Sequence, residues 1–190
     1  LVSHDGAGLM VTKGTVPEVL AVCTSAEVAG GSVVDIATVR ERISRRFEEF
    51  SGNGFRTLGI ARREAPSDAP LGKGSEAGMT FEGFLVLFDP PKPGIVETIG
   101  RLKSLGVSLK MITGDNSLVA SHVLKEVGFP EPRIFTGPRL RETSDEALLG
   151  QVNDVDVFAE IEPNQKERII LALKKAGNVV GFVGDGINDA

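Results

Sequence analysis

The chain has 190 residues, enough for one ordinary domain or two small ones, with 41% hydrophobic and 25% charged residues in a globular balance. Its net charge of −5 comes without a long basic run, so nothing points to nucleic acid or an anionic membrane surface. The longest apolar runs, such as FLVLF at 84–88, fall far short of the ~20 residues that span a bilayer; no signal peptide is visible, and the single Cys23 excludes an internal disulfide.

The opening residues read as two short strands, LVSH and GLMVTKG, around a Gly- and Asp-bearing hairpin connection. TVPEVLAVC then starts a helix, with Thr15 as its cap and Pro17 in the first turn, where a missing N–H costs little. A second helix is expected from about Asp35 to Phe50, because Ile36, Val39, Ile43, Phe47 and Phe50 recur at three- and four-residue steps. SGNG at 51–54 stops it, and FRTLGIARR follows as a strand. Residues 65–79 are rich in Gly, Pro, Ala and Ser and read as a surface loop. The strand FEGFLVLF then runs into DPPKPG, whose prolines cannot continue a central strand, and a boundary between two structural units is placed there.

From Gly94 onward helices and strands alternate. IVETIGRLKSLG, NSLVASHVLKEVG, SDEALLGQVN and PNQKERIILALKKAG read as helices. VSLKMIT, RIFTG, VDVFAEI and NVVGFVG read as extended, the last as a buried strand. This is the pattern of a doubly wound α/β unit with a parallel sheet, in which ligands sit beyond the carboxyl ends of the strands. Those ends deliver Thr113, Gly114, Asp115 and Asn116 after LKMIT, a helix carrying Lys166 after VFAEI, and Asp185, Gly186, Asn188 and Asp189 after VVGFVG. A hydroxyl, backbone amides and an ammonium suit phosphoryl oxygens, and carboxylates suit Mg²⁺. His4 and His122 form no metal pair, Cys23 reads as packing, and the arginines at 45, 46, 62 and 63 read as solvated surface.

In that order, MITGDN, EPNQKERI and VGDGINDA resemble the later motifs of the haloacid dehalogenase superfamily, and more closely the phosphorylation domain of P-type ATPases. TKGTVPEVL and GFRTLGIA resemble that family's nucleotide-binding domain, and FDPPK its hinge between the two domains. Taken together, the motifs are most similar to magnesium-transporting P-type ATPases, with plasma-membrane proton pumps next.

The resemblance implies a partial α+β nucleotide-binding domain with antiparallel strands at 1–88, then a truncated haloacid dehalogenase-like phosphorylation domain at 89–190. It implies that Lys13 and Gly14 line an adenine pocket and that Arg56 reaches the nucleotide phosphates, with Asp89 of FDPPK completing the nucleotide-binding set. Thr113 and Lys166 would contact the phosphoryl oxygens, while Gly114 and Asp115 would shape the turn. Asp185 would hold Mg²⁺, and Asn188 and Asp189 would keep the phosphate site in order. ATP, Mg²⁺ and a transported cation, Mg²⁺ itself, are the expected ligands. The remaining partners would be the membrane helices and actuator domain of the same protein, this segment facing the cytoplasm of a bacterial or archaeal cell.

The family's DKTGT nucleophile motif does not occur in these residues. DVDVF at 154–158 is no substitute, because it follows the threonine motif and lies at the start of a strand. Leu1 also opens without an initiator methionine, and the chain is read as a piece of a larger protein, unable to form a phosphoenzyme alone. Two other readings stay open: a soluble phosphatase of the same superfamily with residues 1–80 as its cap, and a nucleotide-binding regulator without enzymatic activity.

Overall fold

A computed structural model of the chain describes residues 2–4, 7–65 and 74–184. The chain divides into two units, Leu1–Asp89 and Pro90–Ala190.

The first unit is built on a six-stranded sheet in the order β1-β2-β5-β6-β3-β4. Its strands are β1 (Val2–His4), β2 (Ala7–Thr15), β3 (Cys23–Val28), β4 (Ser32–Asp35), β5 (Arg56–Ala65) and β6 (Met79–Leu87). All neighbouring pairs are antiparallel except β3 with β6. Two helices, α1 (Val16–Val22) and α2 (Ile36–Gly52), supply the apolar cover. Val16, Val19 and Leu20 of α1 and Ile36, Val39 and Ile43 of α2 share one core with Met10, Ala61 and Phe81 from the strands. Among the described residues, the helices cover one face of the sheet and leave the other open, as antiparallel sheets tolerate.

Local chemistry explains most of these boundaries. The Asp35 carboxylate accepts the Ala37 amide proton at 2.7 Å, capping α2 where the sequence places its start; such a cap contributes about 1 kcal/mol. Thr15 does stand at the N-cap position of α1, but its hydroxyl donates to Glu18 at 2.7 Å and makes no capping bond. Between α1 and α2, where the sequence pattern predicts no element, β3 and β4 form a hairpin turning on Gly30 and Gly31, both at positive φ. Cys23 is buried at the start of β3, and desolvation pushes its thiol up from the ordinary range, as a packing residue requires.

In the second unit the helices are α3 (Ile95–Ser104), α4 (Ser117–Glu126), α5 (Gly137–Glu142), α6 (Asp145–Gln151) and α7 (Pro163–Lys175). A parallel sheet of β7 (Met111–Ile112), β8 (Ile134–Thr136) and β9 (Val157–Ala159) has the order β7-β9-β8. All three residues of the central β9 are fully buried, as a strand covered on both faces requires. Val157 and Ala159 pack with Ala120 and Leu124 of α4. Phe158 packs with Leu140, Leu148 and Ile169 from α5, α6 and α7. Burying a side chain of this size contributes about 1.5–3 kcal/mol. This is the doubly wound α/β arrangement expected from the alternation of elements.

Three elements of this unit depart from expectation. NVVGFVG at 178–184 was expected to be a buried strand, but it is irregular, and Val179, Phe182 and Val183 are exposed. An apolar run becomes a strand only when a neighbouring edge takes its amides and carbonyls. Among the described residues no strand pairs with it; Asn178 is instead tied by its side-chain amide to Asn153 and to the Leu173 carbonyl. The expected strand VSLKMIT likewise shortens to Met111–Ile112, and the helix α5 was not anticipated.

Candidate functional site

Three connected segments meet at the carboxyl end of the parallel sheet. The first is the turn 113–116 after β7. Thr113 continues the pairing, its amide donating to the Phe158 carbonyl at 2.9 Å. Its hydroxyl accepts the Asp115 amide proton at 3.1 Å and donates to the Asp115 carboxylate at 3.2 Å. Asn116 caps α4 by accepting the Val119 amide proton at 3.0 Å. The turn therefore delivers a hydroxyl and a carboxylate beside the positive end of a helix.

The second segment, 160–162, follows β9 and is laced to the first. The Glu160 amide donates to the Asp115 carbonyl at 2.9 Å, and the Ile161 amide to the Thr113 carbonyl at 3.0 Å. The third is the first turn of α7, which carries Lys166, half-buried. Gln165, buried beside it, accepts the Glu162 amide proton at 3.0 Å and donates to the Gly137 carbonyl at 3.0 Å. α7 is thereby pinned both to its own entry turn and to the start of α5.

Gly114 lies within the first turn. A Cβ there would meet the Ile161 carbonyl oxygen at 3.6 Å, an ordinary contact, and its φ is not positive. Among the described residues neither strain nor packing demands glycine there. Asp185, Asn188 and Asp189 lie outside the described residues.

In the first unit, strand register sorts the remaining candidates. Lys13, Ile60 and Gly83 form one row across β2, β5 and β6; Thr15, Leu58 and Leu85 form the next, and Arg56 pairs with Leu87. Lys13, Arg56, Leu85 and Leu87 are exposed, so this open face is an apolar floor edged by two cations. Gly14 belongs to the opposite face, where a Cβ would lie 3.5 Å from Val19 of α1. Its neighbour Gly59 is tighter still, at 3.0 Å from the Val19 Cβ, so this pair of glycines lets α1 close on the sheet. Asp89 is exposed after β6. Arg62 is not simply solvated surface: it bridges Glu82 at 2.5 Å and Glu27 at 2.8 Å, and both carboxylates push its guanidinium pKa up.

The opposite end of the parallel sheet is structural. Lys110, whose ammonium is pushed below its usual range by burial, donates to the Asn153 and Val155 carbonyls. Asp154 and Asp156 of DVDVF pair there with Arg133, away from the carboxyl ends. His122 faces Glu126 one turn along α4 at 3.4 Å. The His4 side chain lies outside the described residues.

A hydroxyl, an ammonium and two helix N-termini at one end of a sheet fit an anionic phosphoryl group. Among the described residues no group of three or more His, Cys, Asp or Glu is placed to hold a metal ion. Mg²⁺ needs only one or two carboxylates alongside phosphate and water, so this donor set is compatible with it. Among the described residues no helix is long and apolar enough to cross a membrane. The site residues missed from sequence are Glu160, Gly137 and Gln165. Only Gln165 carried a signal, the E-x-x-Q spacing of a capping box.

Comparison with known proteins finds relatives along almost the whole chain. The chain is 38% identical over 191 residues to a magnesium-transporting ATPase, P-type 1, of Salmonella typhimurium strain LT2, covering 99% of this chain and 21% of that protein. A protein of the same description from Escherichia coli K12 is 34% identical, over 95% of this chain and 20% of its own length. Calcium-transporting ATPase 1 of Saccharomyces cerevisiae is 32% identical, over 98% and 20% respectively. The chain thus spans about one fifth of the length of these relatives. The model of one family, haloacid dehalogenase-like hydrolase, matches residues 12–190, and the chain belongs to that family.

Proposed function

We propose that this chain is the cytoplasmic catalytic segment of an ATP-driven cation pump, transporting Mg²⁺ and working through an aspartyl-phosphate whose nucleophile lies outside these residues. The observation that carries the reading is the similarity to P-type cation ATPases along almost the whole chain, both units included. A soluble phosphatase has no need of the first unit's resemblance to a nucleotide-binding domain.

On this reading Lys13 and Arg56 steer ATP onto the open face of the first sheet, Lys13 beside the adenine and Arg56 toward the phosphates. Gly14 contributes backbone and Asp89 the hinge. Thr113 and Lys166 neutralise the phosphoryl oxygens, with Gly114 giving close backbone access and Asp115 holding the Thr113 hydroxyl. Asp185 would hold Mg²⁺, which spreads the charge of the phosphoryl group when bound; Asn188 and Asp189 would order that segment. Positioning and charge neutralisation do most of the work in such transfers. The membrane-spanning and actuator parts of the same protein would convert the phosphorylation into ion movement.

The transported ion is tested by expressing the complete gene product in a bacterium stripped of its magnesium uptake systems. Growth is expected at magnesium levels that do not support the parent strain, and it should be lost in Lys166→Ala. Calcium transport without magnesium-dependent growth would reassign the ion.

A further inference from the structure

We propose that Glu160 is a positioning residue for phosphoryl transfer, fixing the Thr113–Asp115 turn in register with α7; the role in transfer rests on the function proposed above. Glu160 is the only non-glycine residue with positive φ, 58°, among the described residues. A non-glycine residue persists in the left-handed region only where its surroundings over-determine it, and such residues gather at functional sites.

The surroundings here are specific. The Glu160 amide donates to the Asp115 carbonyl at 2.9 Å, while its carboxylate accepts the Ser117 amide proton at 3.1 Å. The next residue, Ile161, donates to the Thr113 carbonyl. Backbone and side chain thus grip the turn at three successive odd positions. The carboxylate also lies at the first residue of α4, where negative charge is favoured. On the other side, the Glu160 carbonyl fills the space where Gly137 lacks a Cβ. Three residues further on, α7 begins and carries Lys166. The left-handed bend at Glu160 is therefore the link through which the turn bearing Thr113 and the helix bearing Lys166 hold a fixed relation.

The test compares Glu160→Ala with Glu160→Gln in the complete gene product in membranes. Hydrogen–deuterium exchange is read over 113–118 and over α6 and α7, with the rate of phosphorylation from ATP measured in parallel. In Glu160→Ala, exchange at 113–118 is expected to rise about tenfold with α6 and α7 unchanged. Phosphorylation should slow by about tenfold, with the half-saturating ATP concentration unaltered. Glu160→Gln keeps an acceptor for Ser117 and should stay within about twofold of the parent in both measurements. Unchanged exchange in Glu160→Ala, a rise spread evenly over the unit, or local loosening without slower phosphorylation would each overturn the proposal. A parent protein that forms no phosphoenzyme would instead overturn the functional reading, and exchange alone would then decide whether Glu160 anchors the turn.

Discussion

Gly137→Ala is expected to destabilise the second unit by about 3 kcal/mol, lowering its melting temperature by roughly 15 °C. A Cβ at this position would lie 2.0 Å from the Glu160 carbonyl oxygen, 3.0 Å from its carbon and 2.9 Å from Gln165 Oε1. None of these atoms is the free end of a flexible side chain. The Glu160 backbone is held by Asp115, and the Gln165 amide is engaged at both ends, by Glu162 and by the Gly137 carbonyl itself. The clash can therefore be relieved only by moving β9's exit or the start of α5. Gly114→Ala is the control, because among the described residues its Cβ would meet nothing closer than 3.6 Å. Thermal unfolding of the two variants should separate them clearly, and equal melting temperatures would refute the close approach at Gly137.

The second large effect is expected at Thr113. On the proposed function the Thr113 hydroxyl turns its single proton from the Asp115 carboxylate to the phosphoryl oxygens. Removing such a donor to a developing anion costs on the order of 10²–10³ in rate, so Thr113→Val should slow phosphorylation by about that factor. Valine keeps the branched shape but loses the hydroxyl that accepts the Asp115 amide proton and donates to its carboxylate. Thr113→Ser retains both bonds and should recover most of the rate. If the hydroxyl served only the turn, Thr113→Val would lower thermal stability in step with activity, and the rate per folded molecule would hold. Rapid-quench phosphorylation normalised to folded protein distinguishes these outcomes.

Most helices, and the parallel sheet in outline, are legible because periodicity is local. Ile36, Val39 and Ile43 are buried, and Phe47 packs against the same core, as their spacing requires. Thr113 and Lys166 stand out in the sequence because each comes after an expected strand, where α/β sheets place ligand groups. The hairpin of β3 and β4 was hidden because the apolar run of α1 passes without a break into Cys23, although the Gly30–Gly31 pair was a usable turn signal. The segment 178–184 was misread because an apolar run states a preference for burial, while a strand also needs a neighbour to receive its hydrogen bonds. Glu160 and Gly137 were illegible for a different reason. Glutamate carries no preference for left-handed backbone, and the need for glycine at 137 arises from a carbonyl 23 residues further along the chain.

Trapping the covalent intermediate tests the central claim most directly. The complete gene product, in membranes, is incubated with labelled ATP and Mg²⁺, quenched in acid and exposed to hydroxylamine. The account predicts an acid-stable phosphoprotein whose label hydroxylamine releases, as an acyl-phosphate requires, and which disappears in Asp185→Asn. Hydrolysis of free phosphate esters with no trapped intermediate would contradict it, and would assign the chain instead to a phosphatase with residues 1–80 as its cap.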